Sequence, residues 1–274
     1  MADAIDAMED AFGADRQLPQ RQLIGSSFFM PGRVGATSGI KVVSVVPGNP
    51  VGIVAVFDAE GSPVGIVDGP TLTAIRTAAG SGLATRILAP VASRRMAMLG
   101  AGAMARDQIA AVTLVRPIEE IVVWSRDHSR AELLASEVGG TTAESADEAV
   151  DGADVITTAT PSRSPLFSGR SLGSDGVHIN AIGGYSSEMI EIPADVVVEA
   201  FRVVDDRSAA AVEAGDLINA GVEPDAEVGD LLDSVWTRTH AITLFKSVGI
   251  ASQDIAAAAA ALANAQRLGI GTVV

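Results

Sequence analysis

Met96-Ala97-Met98-Leu99-Gly100-Ala101-Gly102-Ala103-Met104-Ala105-Arg106-Asp107-Gln108-Ile109 is the stretch from which this chain is read. A short apolar run at 96–99 is cut by Gly-Ala-Gly, and an Ala-rich helical pattern follows at once. The segment therefore reads as strand, tight turn and helix N-terminus. In that setting Gly-x-Gly-x-x-Ala has a mechanism. Gly100 makes the turn, Gly102 leaves room for a pyrophosphate beside the backbone, and Ala105 lets helix and strand pack closely. The helix start, with Ala103 and Met104, offers free N–H groups and a dipole to the negative charge. The plain alternative is a Gly-rich turn of any α/β protein, so the surrounding chain has to decide.

Downstream, strand and helix patterns alternate. Strands are expected at 121–124, 155–159, 177–182 and 203–204, with helices at 103–115, 127–138 and 143–150. That alternation predicts a parallel sheet. Ligands of such sheets bind beyond the carboxyl ends of the strands, which points to Gly100, Ser125, Thr160 and residues 182–185. After Ala214 the pattern turns helical. Phe245-Lys246-Ser247-Val248-Gly249 reads as a break, and 254–268 as an Ala-rich amphipathic helix that periodicity does not assign to either half of the chain.

Upstream, Ile5, Met8 and Phe12 have helical spacing. A short strand is expected at 24–30, ending at Pro31-Gly32, and a β-rich run at 39–46 encloses Lys41. Pro47-Gly48-Asn49-Pro50 is a turn, and strands at 51–57 and 64–67 flank a hairpin. The first seventy residues thus predict an antiparallel sheet after one helix. A long helix follows at 71–88, with Leu72, Ile75, Ala79, Leu83 and Ile87 on one face, Thr71 or Thr73 as its cap, and Arg76 one turn in.

Composition narrows the function classes. The 274 residues suffice for two domains, and 48% are hydrophobic. With 34 acidic and 19 basic residues the net charge is −15, which argues against nucleic acid as a partner. No apolar run approaches the roughly 20 residues of a membrane span. No signal peptide is recognisable, so a cytoplasmic protein is expected. There is no cysteine, and the three histidines lack metal-ligand spacing, so no metal is expected. Only Lys41 and Lys246 are lysines.

In a dinucleotide fold the end of the second strand selects the cofactor. An acid there binds the ribose hydroxyls and repels a 2′-phosphate. Here the tripeptide is Trp124-Ser125-Arg126, with no acid at Ser125 and a guanidinium next to it. NADP is therefore expected in preference to NAD. The competing reading makes Arg126 and Arg130 solvated helix-start residues and Asp127 an N-cap.

Several segments together resemble the ornithine cyclodeaminase/μ-crystallin family. They are Gly-Ile-Lys-Val-Val-Ser-Val (39–45) with Pro-Gly-Asn-Pro (47–50), Leu-Thr-Ala-Ile-Arg-Thr-Ala-Ala (72–79), Leu-Gly-Ala-Gly-Ala-Met-Ala (99–105), Ala-Asp-Val-Ile-Thr-Thr-Ala-Thr (153–160), Ile-Asn-Ala-Ile-Gly (179–183) and Leu-Phe-Lys-Ser-Val-Gly (244–249), with Asp254 beyond. They occur in family order over nearly the whole chain. The resemblance implies an α/β fold in which a Rossmann dinucleotide-binding domain (91–244) is inserted between the two ends of a smaller α+β substrate and dimerisation domain (1–90 plus 245–274). It implies a homodimer. It places Lys41 and Arg76 in the substrate pocket with Arg21 as a third cation, and Thr160, Ala181, Ile182, Gly183 and Ser247 at the cofactor.

The chain also departs from the family pattern. The segment after Asn49 is short. Where cyclodeaminases carry an aspartate for ammonia loss, this chain has Tyr185, and Met189 stands where they carry a cation. A phenol, with an ordinary pKa of about 10, does not replace a carboxylate base at neutral pH. Converging cations beside a nicotinamide fit binding of a small carboxylate and hydride transfer to its C=N carbon. Arg76 would grip the carboxylate bidentately and Lys41 would supply the proton. The expectation is an NAD(P)H-dependent reductase of a small α-imino acid, such as Δ1-pyrroline-2-carboxylate, or the reverse amino-acid dehydrogenase. Two alternatives stand beside it. One is ornithine cyclodeaminase, with Glu188 or Glu191 replacing the missing acid, although Glu191 better suits a structural role at the strand-to-helix junction. The other is an NADPH- and small-ligand-binding protein of μ-crystallin type.

Overall fold

The structure is a computed structural model that describes residues 1–13, 15–46, 51–172, 176–232 and 236–272. In chain order the elements are α1 (Ala2–Gly13), β1 (Arg16–Gln17), β2 (Gln22–Ile24), β3 (Ser27–Val34), β4 (Thr37–Ser44), β5 (Gly52–Phe57), β6 (Pro63–Asp68), α2 (Gly69–Leu88), β7 (Arg95–Leu99), α3 (Ala105–Val115), β8 (Glu120–Trp124) and α4 (His128–Val138). Then follow β9 (Thr141–Thr142), α5 (Ala146–Val150), β10 (Val155–Thr158), β11 (Val177–Ala181), α6 (Ala194–Glu199), β12 (Phe201–Val204), α7 (Arg207–Glu213), α8 (Gly215–Ala220), β13 (Ala226–Glu227), α9 (Val228–Leu232), β14 (Ile242–Lys246) and α10 (Ala251–Leu268). The chain divides into two compact units, residues 1–80 with 250–274 and residues 81–249. The crossings fall inside α2 and just after Gly249, whereas the sequence reading placed them at 90/91 and 244/245. The turn expected at 47–50 and the shortened segment at Asn49 lie outside the described residues.

The first unit is an antiparallel sheet ordered β1-β3-β4-β5-β6, with β2 also on β3. Its β3 runs on through Pro31-Gly32 instead of ending there. Proline is tolerated because β1 pairs only with Arg33 and Val34, and β2 only with residues 27–29, so that edge of β3 has no partner at Pro31. The buried row of the sheet contains Met30, Lys41 and Val54, which face one another across three strands. Helix α10 packs on this face. Gly39 and Gly65 make the approach close, since a Cβ there would lie 3.1 Å from Ile255 and 2.6 Å from Leu262. That assigns the C-terminal helix to the first unit, which periodicity left open.

The second unit is an eight-stranded parallel sheet, ordered β13-β12-β14-β11-β10-β7-β8-β9. Both faces are apolar. Ala97, Leu99, Ile156 and Ile179 pack on α5 and α6, and Met96, Met98, Val123 and Val155 pack on α3 and α4. The expected break at 245–249 is corrected here. Ile242–Lys246 is a buried strand between β11 and β12, its β-prone run Ile-Thr-Leu-Phe ending in a lysine that the fold neutralises. Two helix details also change. Asp68, not Thr71 or Thr73, caps α2 by accepting from Thr71 N at 2.9 Å. Helix α2 is buried all round from residue 76 to 85 and not along one face. Among the described residues, no helix is long and apolar enough to cross a membrane.

Candidate active site

In the second unit, strand β7 ends at Gly100, whose φ of +112° a side chain rarely adopts. A Cβ there would meet Ala159 O at 2.7 Å, so the turn admits only glycine. A Cβ on Gly102 would meet nothing within 4 Å. The space beside its backbone is open, as an approaching phosphate requires. Ala105 is fully buried against strand residues. Met104 sits at the N-cap of α3 without a side-chain cap, which leaves the first N–H groups of the helix without a side-chain acceptor. Ala103 lies in the turn between Gly102 and Met104.

Gly100, Gly102, Ser125, Arg126 and Thr160 line one cavity of about 250 Å³ at the carboxyl ends of β7, β8 and β10. Asp127 does act as an N-cap. It accepts from Arg130 N and pairs with Arg130 Nε at 3.2 Å. Arg126 is exposed in the same cavity and has no ion pair among the described residues.

Three carboxylates tie the strand ends together, and the sequence analysis gave two of them, Asp205 and Asp216, no role. Glu191 Oε1 accepts from both N and Oγ1 of Thr160, and Oε2 accepts from Gly183 N, all at 2.8 Å. One side chain thereby joins the ends of β10 and β11. Burial pushes the Glu191 carboxyl up, and the Lys246 charge opposes that. Asp216 accepts from Glu191 N and Ile192 N and pairs with Lys246 Nζ at 2.9 Å; Lys246 in turn donates to Gly184 O. Asp205 Oδ2 accepts from Ser247 Oγ, Val248 N and Gly249 N. Ser247 N donates to Ala181 O, so Ser247, Ala181, Ile182 and Gly183 share the end of β11. The signal for this network is faint in sequence, because an acid just past a strand end looks like an ordinary polar loop residue.

In the first unit, Lys41 and Arg76 are brought together. Lys41 is 3% exposed and Arg76 is 6% exposed. Lys41 Nζ donates to Thr73 Oγ1 at 2.6 Å and to Asp254 Oδ1 at 3.0 Å. Arg76 Nε donates to the same Asp254 oxygen at 3.0 Å, and Nη1 donates to Gln253 Oε1 at 3.0 Å. Arg21 lies between β1 and β2 with its guanidinium 4.9 Å over the Phe28 ring. Burial pushes the Lys41 ammonium below the ordinary lysine range. Asp254 opposes that shift, while Arg76 and Arg21 add to it. A lysine so placed can hold or release a proton nearer neutrality than a solvated one.

The acids offered as substitutes at Tyr185 are both engaged. Glu188 pairs with Arg163 on the surface at 3.1 Å, and both Glu191 oxygens accept hydrogen bonds.

The comparisons agree with one another. A model of the ornithine cyclodeaminase/mu-crystallin family matches residues 17–267. The mouse (Mus musculus) protein "Ketimine reductase mu-crystallin" is 34% identical over 218 residues, covering 78% of this chain and 69% of the relative. The solved Thermococcus litoralis Δ1-pyrroline-2-carboxylate reductase, in complex with NADH and L-proline, superposes with a TM-score of 0.90 at 30% identity, covering 99% of this chain and 95% of that one. An archaeal alanine dehydrogenase dimer with bound NAD gives a TM-score of 0.90 at 26% identity, covering 100% and 94%.

Proposed function

The chain belongs to the ornithine cyclodeaminase/mu-crystallin family, and from that premise we propose that it is an NAD(P)H-dependent reductase of small α-imino acids. The single observation that carries this is the buried pair of Lys41 and Arg76, each 3.0 Å from one oxygen of Asp254, while Glu188 and Glu191, the acids next to Tyr185 in sequence, are paired elsewhere. The reaction is α-imino acid plus NAD(P)H plus a proton, giving amino acid plus NAD(P)⁺. The nicotinamide, when bound, supplies the hydride. Arg76 and Arg21 hold the substrate carboxylate, and Lys41 delivers the proton to the nitrogen. Gly100, Gly102, Ala103 and Met104 receive the pyrophosphate. Thr160, Ala181, Ile182, Gly183 and Ser247 form the wall toward the nicotinamide. Deamination of ornithine would need an acid where this chain has Tyr185.

NADP is the preferred cofactor in this reading, because Arg126 lines the cavity with no ion pair among the described residues while Asp127 caps its helix. The protein works as a homodimer. The outward row of the first sheet, Pro31, Ile40, Ala55 and Ile66, together with Val42 and Ile53 beside it, is apolar and uncovered, with Ile66 66% exposed and Ile53 45% exposed. A relative of the same fold is a dimer.

The test follows NADPH oxidation against preformed cyclic imines with a carboxylate at the imine carbon, and against 2-keto acids with ammonia or methylamine. Turnover is expected with a member of that panel. Lys41→Ala should lower kcat by about a thousandfold or more, within the reach of general acid catalysis, with NADPH binding retained by fluorescence titration. Tight NADPH binding with no turnover across the panel would instead favour a binding protein. Proline and ammonia from ornithine without net NADPH change would favour the lyase.

A further inference from the structure

Lys41 and Arg76 come from a strand and a helix, yet both donate to one atom, Asp254 Oδ1. The second oxygen, Oδ2, is buried without a hydrogen-bond partner among the described residues. Two cations this close and this buried repel each other, and that repulsion favours loss of the lysine proton. The other acceptors of the pair, Thr73 Oγ1 and Gln253 Oε1, are neutral. The charged groups facing Lys41 are Asp254 from α10, Arg76 from α2 and Arg21 from the segment between β1 and β2. Asp254 is fixed in the first turn of α10, where every residue from Ala251 to Ala258 is buried, so its carboxylate cannot swing out to solvent.

We propose that Asp254 is a positioning residue of this site, gathering Lys41 and Arg76 on one carboxylate oxygen and keeping Lys41 in the ammonium form that donates the proton. Its place in catalysis rests on the function proposed above; the ionic coupling itself does not. Asparagine keeps the Oδ1 acceptor and removes only the charge, and the amide nitrogen would occupy the position where Oδ2 already lacks a partner.

The chain has only two lysines, so selective 13C labelling at lysine Cε gives two resonances, assigned with Lys41→Arg. In Asp254→Asn the Lys41 titration midpoint should fall by about one pH unit or more. The Lys246 resonance should keep its chemical shift at neutral pH, reporting an intact fold, and Asp254→Glu should recover part of the Lys41 shift. In assays, the alkaline limb of kcat/KM should move down in step with the Lys41 midpoint. An unmoved Lys41 midpoint in folded Asp254→Asn overturns the proposal. Should that variant fail to fold, the wild type carries the test. Its Asp254 13Cγ resonance must register the pH at which Lys41 loses its proton, and a flat trace there overturns the proposal equally. A wild type inactive on every imine removes the proposed function while the titrations still decide this inference. An active wild type with an unmoved alkaline limb in Asp254→Asn removes the inference and leaves the function standing.

Discussion

Arg126 and Arg76 show how a side chain of known type acquires its role from what its neighbours already hold. Arg126 follows Ser125 at the end of β8 and lines the cavity with no ion pair among the described residues, because Asp127 is bound to the start of α4. If it receives the 2′-phosphate, Arg126→Ala should lower kcat/KM for NADPH by about tenfold or more, the worth of one charged hydrogen bond, and leave NADH little changed. Steady-state kinetics with both cofactors check this, and a parallel loss for both refutes the assignment. Arg76 is a partial correction. The sequence suggests a bidentate grip on a substrate carboxylate, yet Nε and Nη1 already serve Asp254 and Gln253. A residue's type was legible in the sequence; its spare hydrogen-bonding capacity was not, because that depends on partners 177 and 178 positions away.

Strand ends and helix starts carry most of the candidate site, and here glycine positions are the readable part. Gly183 closes β11 where a Cβ would sit 2.2 Å from Thr160 O and 2.3 Å from Thr160 N, both backbone atoms. Gly183→Ala must therefore push apart the ends of β10 and β11 and disturb the Glu191 bridge. It should cost about 1–3 kcal/mol of stability, the usual range for overpacking, and raise KM for the cofactor. Urea denaturation and kinetics test the two parts, and unchanged values for both would show that the clasp is not rigid. Strand β14 was missed for a different reason. Its buried Lys246 breaks the apolar run, and only the distant Asp216 makes a lysine acceptable there. Helix α2 was legible as a helix, but its small residues from 76 to 85 gave no warning that it is enclosed on all sides.

Taken over the whole chain, sensitivity to acid has an identifiable internal source. His178 is fully buried between β10 and β14, and Asn180 offers it Oδ1 because Nδ2 donates to Thr85 Oγ1. Nε2 therefore carries the proton and Nδ1 accepts from Thr243. Burial holds the native imidazole at about 3, against 6.5 for a free one. The unfolded chain binds a proton below pH 6.5 that the native chain refuses until about 3. Stability is thus full above that window and is lost as pH falls through it, by up to about 1.4 kcal/mol per pH unit. Denaturation of wild type against His178→Gln between pH 7 and pH 4.5 should show the wild type losing more, at about that slope, and parallel curves would contradict it. Assembly is the second property at this level. If the proposed homodimer forms through the uncovered sheet face, Ile66→Lys should lower the mass from dimer to monomer in sedimentation analysis, whereas an unchanged mass would overturn that assignment. By itself the sequence determined the α/β class, the glycine turn after β7 and the antiparallel first sheet, because local periodicity and steric demand are written in adjacent residues. Only the tertiary structure decided that Lys246 ends a central strand, that Asp254 joins Lys41 to Arg76, and that Asp205 and Asp216 join Glu191 in holding the strand ends. Each of these depends on charges brought together from far along the chain, and burial makes such pairing obligatory without leaving any local pattern.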